Sequence, residues 1–490
     1  MSTLTPVETP RGTPPGPRTY RSAELGLLVL AVVASAGAYA LVGLGAEDTV
    51  PANVYVYTAW LSVLAVALHV LVRWRAKYAD PVIVPIAVLL NGLGLAMIFR
   101  IDLALSDSES TSQVAVSQLT WMTLGMLLCG LVVVFLRDHR ILRRYVFTAG
   151  LAGLVLLLLP MVPGLGKTIN GAKIWIGVAG FSFQPGEIAK ILIAVFFAGY
   201  LINYRDQMVL AGKRFLGIQW PRLRDVVLLF VVALAAVLIL VMERDLGTSL
   251  LYFGLFVAML YIATGVKSWI LLGLGMFAAA AVVATLTFSH VQQRVDGWLH
   301  ALTREEFEKS PGGSYQLVQG MFGMANGGIM GTGLGEGRPD VVPYANSDFI
   351  YASLGEELGM VGLFVILVLY VLLFERGMKT ASVVRDGFGT LLAAGLTFTF
   401  ALQCFIVIGG VTRVIPLTGL TTPFLAAGGS SLVANWIIIG ILLRISDNAR
   451  RPLEELATGV LTVPSSLRDR EEAGGTSARS SLVHDPGGDR

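Results

Sequence analysis

An all-α, polytopic membrane bundle of about twelve transmembrane helices, with a long extracellular loop before the tenth, is the fold class this sequence predicts. Three observations predict it. Of 490 residues, 55% are hydrophobic and only 14% charged, and the mean hydropathy is +0.72. Apolar runs of roughly 20 residues, the length a helix needs to cross a hydrocarbon core, recur along the chain. Charges gather in the connections, and every second connection is basic. A soluble globular protein is excluded. The net charge of +3 is spread over short clusters between spans and gives no nucleic-acid signal. Cys129 and Cys404 both fall inside apolar runs, where they act as small hydrophobes, so no disulfide is expected.

Met1 to Arg21 is rich in Pro, Thr and Gly and predicts a disordered cytoplasmic tail over residues 1–22. The first apolar run is too long for a signal-peptide core and is expected to be retained. Spans are predicted at 24–44, 53–73, 80–100, 115–136, 144–163, 186–203, 225–243, 247–264, 269–289, 347–374, 388–409 and 420–445. Basic residues follow the second span (Arg73, Arg75, Lys77), the fourth (Arg137, Arg140, Arg143, Arg144) and the sixth (Arg205, Lys213, Arg214). Lys267 follows the eighth, Arg376 and Lys379 the tenth, and Arg444 and Arg450 the last. The alternate connections carry acids (Glu47, Asp48, Asp107, Glu109). Both termini are therefore predicted in the cytoplasm, and the 290–346 connection outside. Residues 447–490 form a polar cytoplasmic tail.

Residues 294–357 make the longest polar interval, and a loop of that length inside a compact protein is usually functional. Four further stretches place polar groups where a membrane makes polarity expensive. KTINGAKIWIGVAGFSFQPGEIAK (167–190) is a Gly-rich, Trp-bearing exterior loop followed by a Pro-initiated helix. In it Glu187 and Lys190, three apart, share one face and can pair; the plainer reading is an interfacial anchor on Trp175. ERDLGTSL (243–250) sets Asp245 at a membrane boundary, either as a site residue or as an ordinary charged turn. SDFIYASLGEELG (347–359) opens a span with Asp348 and carries Glu356 and Glu357 inside it. PLTGLTTPFLAAGGSSLVANW (416–436) interrupts a helix with Pro416, Pro423 and the Gly428–Ser431 break. Broken backbone at that depth must line a cavity or be buried in protein. Together these stretches predict a polar cavity opening outward beneath the long loop.

QPGEIAK, RDLGTSLL, SDFIYASLGEELG, and PLTGL followed by PFLAAGGSS resemble, in order and spacing, the signature blocks of the RodA/FtsW/SpoVE (SEDS) family. The resemblance covers residues 80 to 446 and is nearer to RodA, in its high-GC Gram-positive branch, than to FtsW. It implies a peptidoglycan glycosyltransferase that polymerises lipid II at the outer face of the cytoplasmic membrane, for elongation or division. Its implied partner is a class B penicillin-binding transpeptidase. Members usually have ten spans, so residues 23–79 are two additional helices. Three departures stand out. Ile174, preceded by Lys173, occupies a position where the family commonly has Arg. Arg244 replaces a Pro. Ser310-Pro311 replaces the Asp-Pro whose Asp is the family's proposed catalytic residue.

Glycan polymerisation needs a base for the acceptor hydroxyl and positive charge for the departing pyrophosphate. Glu308 or Glu306 is the candidate base in place of the missing Asp, with Asp296 next, then Asp245 or Asp348. Arg294, Arg304, Lys309, Arg338 and Lys173 are candidate pyrophosphate cations. Candidate substrate-binding residues are Lys173, Trp175, Gln184, Glu187, Lys190, Asp245, Arg294, Tyr315, Gln316, Asp348, Glu356, Ser430 and Ser431. A divalent cation (Mg or Mn) is a candidate at the pyrophosphate, and no nucleic-acid partner is expected. Two rival functions are a lipid II flippase and a non-catalytic scaffold for the transpeptidase.

Overall fold

The computed structural model describes residues 20–106, 114–169, 171–178, 181–210, 213–215, 218–220, 223–309 and 312–452. The tails predicted to be disordered, apart from their innermost residues, the acidic 107–109 connection and Ser310-Pro311 lie outside the described residues.

Fifteen α-helices are described: α1 (Arg21–Glu47), α2 (Val54–Arg75), α3 (Ile83–Ser106), α4 (Val114–Phe135), α5 (Val146–Leu158), α6 (Pro185–Leu210), α7 (Leu223–Met242), α8 (Leu246–Thr264), α9 (Ser268–Thr287), α10 (Ser289–Leu299), α11 (Arg304–Glu308), α12 (Tyr315–Gly327), α13 (Ile350–Val383), α14 (Gly387–Val411) and α15 (Gly429–Arg450). Among the described residues eleven helical segments are long and apolar enough to cross a membrane, and Val227–Met242 within α7 is a shorter apolar helix. Those twelve correspond to the twelve predicted spans. Their outward faces are apolar, as lipid contact requires; α9 is exposed along nearly its whole length, with Leu271, Leu274, Val282, Val283 and Leu286 all outward. In contrast α3, α14 and α15 are buried on most sides and form the centre of the bundle.

Two predicted boundaries move. The last span begins at Gly429 rather than at residue 420, and residues 412–428 are irregular. Pro416, Pro423 and the left-handed Gly419 (φ +80°) keep that stretch from continuing as helix. Its backbone is nevertheless satisfied from several directions. Tyr370 donates to the carbonyl of Pro423 (2.6 Å), Asn91 to Phe424 (3.3 Å), Gln118 to Ala426 (3.1 Å) and Gln403 to Thr421 (3.0 Å). The span predicted at 347–374 is α13, which runs to Val383 but is broken at Gly359 (φ 65°, ψ −171°). Residues 350–358 thus form a half-helix with Asp348 just before its start.

The 290–346 connection, expected as a loop, carries three helices, α10, α11 and α12. The Gly-rich 167–184 stretch is a three-stranded antiparallel sheet, β1 (Gly166–Ile169), β2 (Ala172–Val178) and β3 (Phe181–Phe183), in the order β1-β2-β3. Ile174, Ile176 and Val178 are β-branched at alternate positions, which suits a pleated strand. A short hairpin, β4 (Lys213–Phe215) with β5 (Ile218–Trp220), follows α6. Both are local additions to connections, and the bundle itself is helical.

Arg444 closes the face opposite the long connection. Its buried guanidinium donates to the carbonyls of Arg75 (2.6 Å), Leu136 (2.6 Å) and Arg137, satisfying the last carbonyl of α2 and two carbonyls just past the end of α4.

Candidate functional site

Three sequence-distant elements converge under the long connection. Asp245 caps α8, its Oδ1 accepting from the Thr248 N–H at 2.9 Å. The turn from α7 is made possible by Arg244 in a left-handed conformation (φ 64°). Gln184 donates its side-chain amide to the other Asp245 oxygen (3.4 Å), while its backbone N–H donates to Ser430 Oγ (2.8 Å). Pro185 then starts α6, where a missing N–H costs nothing.

Arg294 comes from α10. Its Nη1 donates to the Leu417 carbonyl at 2.8 Å, and its charge acts on both Asp245 and Asp348. Gly419 faces this group. A Cβ there would lie 3.7 Å from both Arg294 Nη2 and Asp348 Oδ2, ordinary van der Waals contact, so residue 419 packs directly against the pair. Burial pushes Asp348 up to about 6; the Arg294 charge and a Ser347 hydrogen bond oppose that rise, and Asp245 adds to it. Burial also raises Asp245, against the two Thr248 hydrogen bonds. Next to it burial and Asp245 push Glu243 up to about 8, with Oε1 buried and without a hydrogen-bond partner.

Beneath these groups lies a buried polar network. Lys190 Nζ meets Glu187 Oε2 at 2.5 Å and donates to Gln403 Oε1 at 3.0 Å. Gln403 reaches Ser431 Oγ at 3.5 Å, and Asn435 donates to the same hydroxyl at 3.4 Å. The charge at Lys190, 2% exposed, is paired and hydrogen-bonded, as burial demands.

Of the residues singled out in the sequence, Gln184, Glu187, Lys190, Asp245, Arg294, Asp348, Ser430 and Ser431 belong to this cluster. Lys173 and Trp175 lie on β2. The backbone N–H of Lys173 donates to the Glu243 carbonyl (3.3 Å), and its Nζ donates to Met161 O (3.3 Å). Gln316 donates to the Pro343 carbonyl (3.0 Å), and Tyr315 is exposed beside Phe307. Glu306 pairs with Lys309 and Glu308 with Arg304, each at 2.7 Å; Asp296 sits on α10 between Arg294 and Trp298. The half-helix acids hold a different place. Glu357 accepts from Arg100 Nε and from the Gly335 N–H, both at 2.9 Å, and Glu356 accepts from Asn326 (3.1 Å). Arg100 also donates to the Gly337 carbonyl (2.6 Å). These bonds fasten the half-helix to residues 331–337, at the edge of a cavity of about 420 Å³ lined by Glu47, Arg100, Arg338 and Asp340.

Arg413 and Gln403 were not legible as site neighbours, while Trp298 and Glu243 lie inside the singled-out stretches 294–357 and 243–250 without being picked as site residues. Gln403 lies at helical spacing in an apolar run, where a lone amide is the one available signal.

Among the described residues no group of three or more His, Cys, Asp or Glu side chains could hold a metal ion.

The fold and the cluster define a class: a polytopic helical membrane protein with an acid–arginine site roofed by a helical connection. Residues 81–451 match the model of the FtsW/RodA/SpoVE family, described as cell cycle protein, and the chain belongs to that family. It is 48% identical over 443 residues to the peptidoglycan glycosyltransferase RodA of Mycobacterium tuberculosis strain H37Rv, covering 90% of this chain and 93% of that one. The Mycobacterium leprae protein of the same name is 46% identical over 442 residues, with the same coverage. A solved structure described as structural coordination of polymerization and crosslinking by a peptidoglycan synthase complex is similar over 76% of this chain and 99% of that one (TM-score 0.60, 25% identity). The Thermus thermophilus rod shape determining protein RodA shares the fold (76% and 98% covered, TM-score 0.54, 23% identity).

Proposed function

We propose that this chain is a peptidoglycan glycosyltransferase that polymerises lipid II at the outer face of the cytoplasmic membrane, with Asp348 as the general base. The observation that carries this reading is Arg294 placed to act on both Asp245 and Asp348, with Gly419 packed against the Arg294–Asp348 pair. A carboxyl at about 6 is ionised at neutral pH yet basic enough to take a proton in the transition state. Asp348 removes the proton from the acceptor sugar hydroxyl as its oxygen bonds to the donor's anomeric carbon. The bond from that carbon to the pyrophosphate oxygen breaks, and the electron pair leaves with the lipid pyrophosphate. Arg294 supplies fixed positive charge to the departing oxygens. Asp245, held by Thr248 and Gln184, adds negative charge that acts on the guanidinium and is not in the proton's path.

A divalent cation at the pyrophosphate would draw its ligands mainly from the substrate, since hard cations of this kind take about six oxygens. The basic connections support the cytoplasmic placement of both termini. A class B penicillin-binding transpeptidase is the proposed partner, by analogy with the complex named above.

The test uses purified full-length protein and labelled lipid II in detergent, with and without the transpeptidase. Asp348→Asn is expected to lower turnover by about 10²-fold or more. Glu308→Gln is expected to stay within about threefold, since removing an exposed ion pair changes little. Wild-type turnover in Asp348→Asn would overturn the base assignment. Failure of the wild-type complex to make strands, together with lipid II translocation in vesicles, would favour the flippase.

A further inference from the structure

We infer that Arg413 and Trp298 form a reciprocal latch that holds α10 against residues 412–420 and thereby sets the position of Arg294. Arg413 is a positioning residue; this role rests on the assignment of Arg294 and Asp348 to the reaction.

Arg294 and Trp298 are four residues apart on α10 and so share one face. That face grips the irregular segment at two points four residues apart. Arg294 Nη1 donates to the Leu417 carbonyl (2.8 Å), and the Trp298 indole donates to the Arg413 carbonyl (3.1 Å). Arg413 answers from the other side. Its Nε donates to Trp298 O (2.9 Å) and its Nη2 to Leu299 O (3.0 Å). Those are the last carbonyls of α10, which a helix cannot satisfy internally, and a cation is favoured at that end of the helix dipole.

The backbone supports the same conclusion. α14 ends at Val411, and Arg413 turns the chain away in the left-handed region (φ 60°). Glycine is the residue at ease there. A non-glycine residue held in that region is strained and persists when its surroundings fix it. Here it is fixed by the end of α14, where the N–H groups of Arg413 and Val414 donate to Gly410 O (3.2 Å) and Gly409 O (2.8 Å), and by the two bonds to α10 with the return bond from Trp298. The latch also reaches the chemistry, because Arg294 opposes the rise that burial and Asp245 impose on Asp348. The charged groups facing Asp348 are Arg294 from α10 and Asp245 from the α7–α8 turn, with Glu187 of α6 behind Asp245. If α10 loosens, the positive charge withdraws and Asp348 rises further.

Arg413→Gly is the sharp test, since it deletes the side chain that carries the guanidinium while glycine suits φ 60° and adds no backbone strain. In the full chain with its transpeptidase, kcat is expected to fall about tenfold with a smaller change in KM, because a misplaced group costs orders of magnitude. The acid limb of the pH–rate profile moves upward by roughly half a unit. Arg413→Lys, which keeps one charge but not the two-pronged geometry, falls between. A wild-type kcat and acid limb in Arg413→Gly would overturn the latch. So would a lower kcat with an unmoved limb, which a loss of fold alone explains. Asp348→Asn, assayed alongside, reports on the catalytic assignment separately. Should that variant retain activity, hydrogen exchange decides the latch. Residues 298–301 must exchange at least about tenfold faster in Arg413→Gly while α14 is unchanged; unaltered exchange there overturns it.

Discussion

At the scale of single residues, Asp348 owes its chemistry to three surroundings: a half-buried setting, an arginine and a second carboxylate. As a base it acts ionised, so turnover should fall as pH drops through about 6. A pH–rate profile of the wild-type complex checks this, and a flat profile between pH 5 and 7 excludes the assignment. Asp386, on the opposite face, is shifted the other way. Burial raises it, but the hydrogen bonds from His139 (2.8 Å) and the Gly389 N–H (2.8 Å), with the charges of His139 and Arg140, outweigh burial and hold it at about 2. Its folded value lies below the ordinary 3.8, so its stabilisation is present above about pH 4 and is lost as pH falls toward 2. His139→Ala should lower stability at neutral pH by about 1–2 kcal/mol. The deficit shrinks in thermal melts below pH 3.

The half-helix 350–358 and its neighbour 328–333 show how one element positions another. Thr332 N–H donates to Glu356 O (3.0 Å), Gly333 N–H to Glu357 O (3.0 Å), and Met360 N–H to Gly328 O (3.0 Å). A break at Gly359 makes this pairing possible. A Cβ there would stand 2.2 Å from the Gly331 nitrogen and 2.5 Å from the Ile329 oxygen, on backbone already at φ 65°. Gly359→Ala should therefore cost about 3 kcal/mol or more, combining left-handed strain with displacement of the paired backbone. A fall in melting temperature in detergent measures it, and an unchanged melt means the kink is not required. The irregular 412–428 segment obeys the same rule by other means. Tyr370→Phe removes the donor to the Pro423 carbonyl, leaving a buried oxygen unpaired at a cost of about 1–3 kcal/mol.

Across the whole molecule, α1 and α2 precede the region that matches the family, yet they are built into it. Glu24 accepts from Arg21 and meets His69 at 2.9 Å, and Arg21 also donates to the carbonyls of Lys77 and Ala79, tying both helices to the start of α3. At the other end, a Cβ on Gly45 would meet the Leu334 oxygen at 2.2 Å, and one on Gly335 would meet the Ala46 nitrogen at 2.7 Å. Backbone thus rests on backbone where α1 meets the segment fastened to Glu357. Gly45→Val should release residues 331–338 to proteolysis and lower turnover, with α1 still inserted. Wild-type protease resistance would mean that α1 does not brace the connection.

The sequence by itself determined the membrane bundle, the number of its spans and the residues from which the acid–arginine site is drawn. Those are consequences of local chemistry. Apolar length sets spans, and a charge in an apolar run needs a partner or a polar cavity, so Asp245, Glu187, Lys190 and Asp348 announce themselves. It did not determine which of these groups meet. Glu306 and Glu308 look like free loop acids in the sequence, but α11 closes each into a local ion pair, whereas Asp348, Asp245 and Arg294 become neighbours from positions up to 103 residues apart. Only the tertiary structure decided that Glu356 and Glu357 fasten residues 331–337 and that Arg413 grips α10. Those roles depend on backbone carbonyls presented by distant turns, and a carbonyl carries no mark in the sequence.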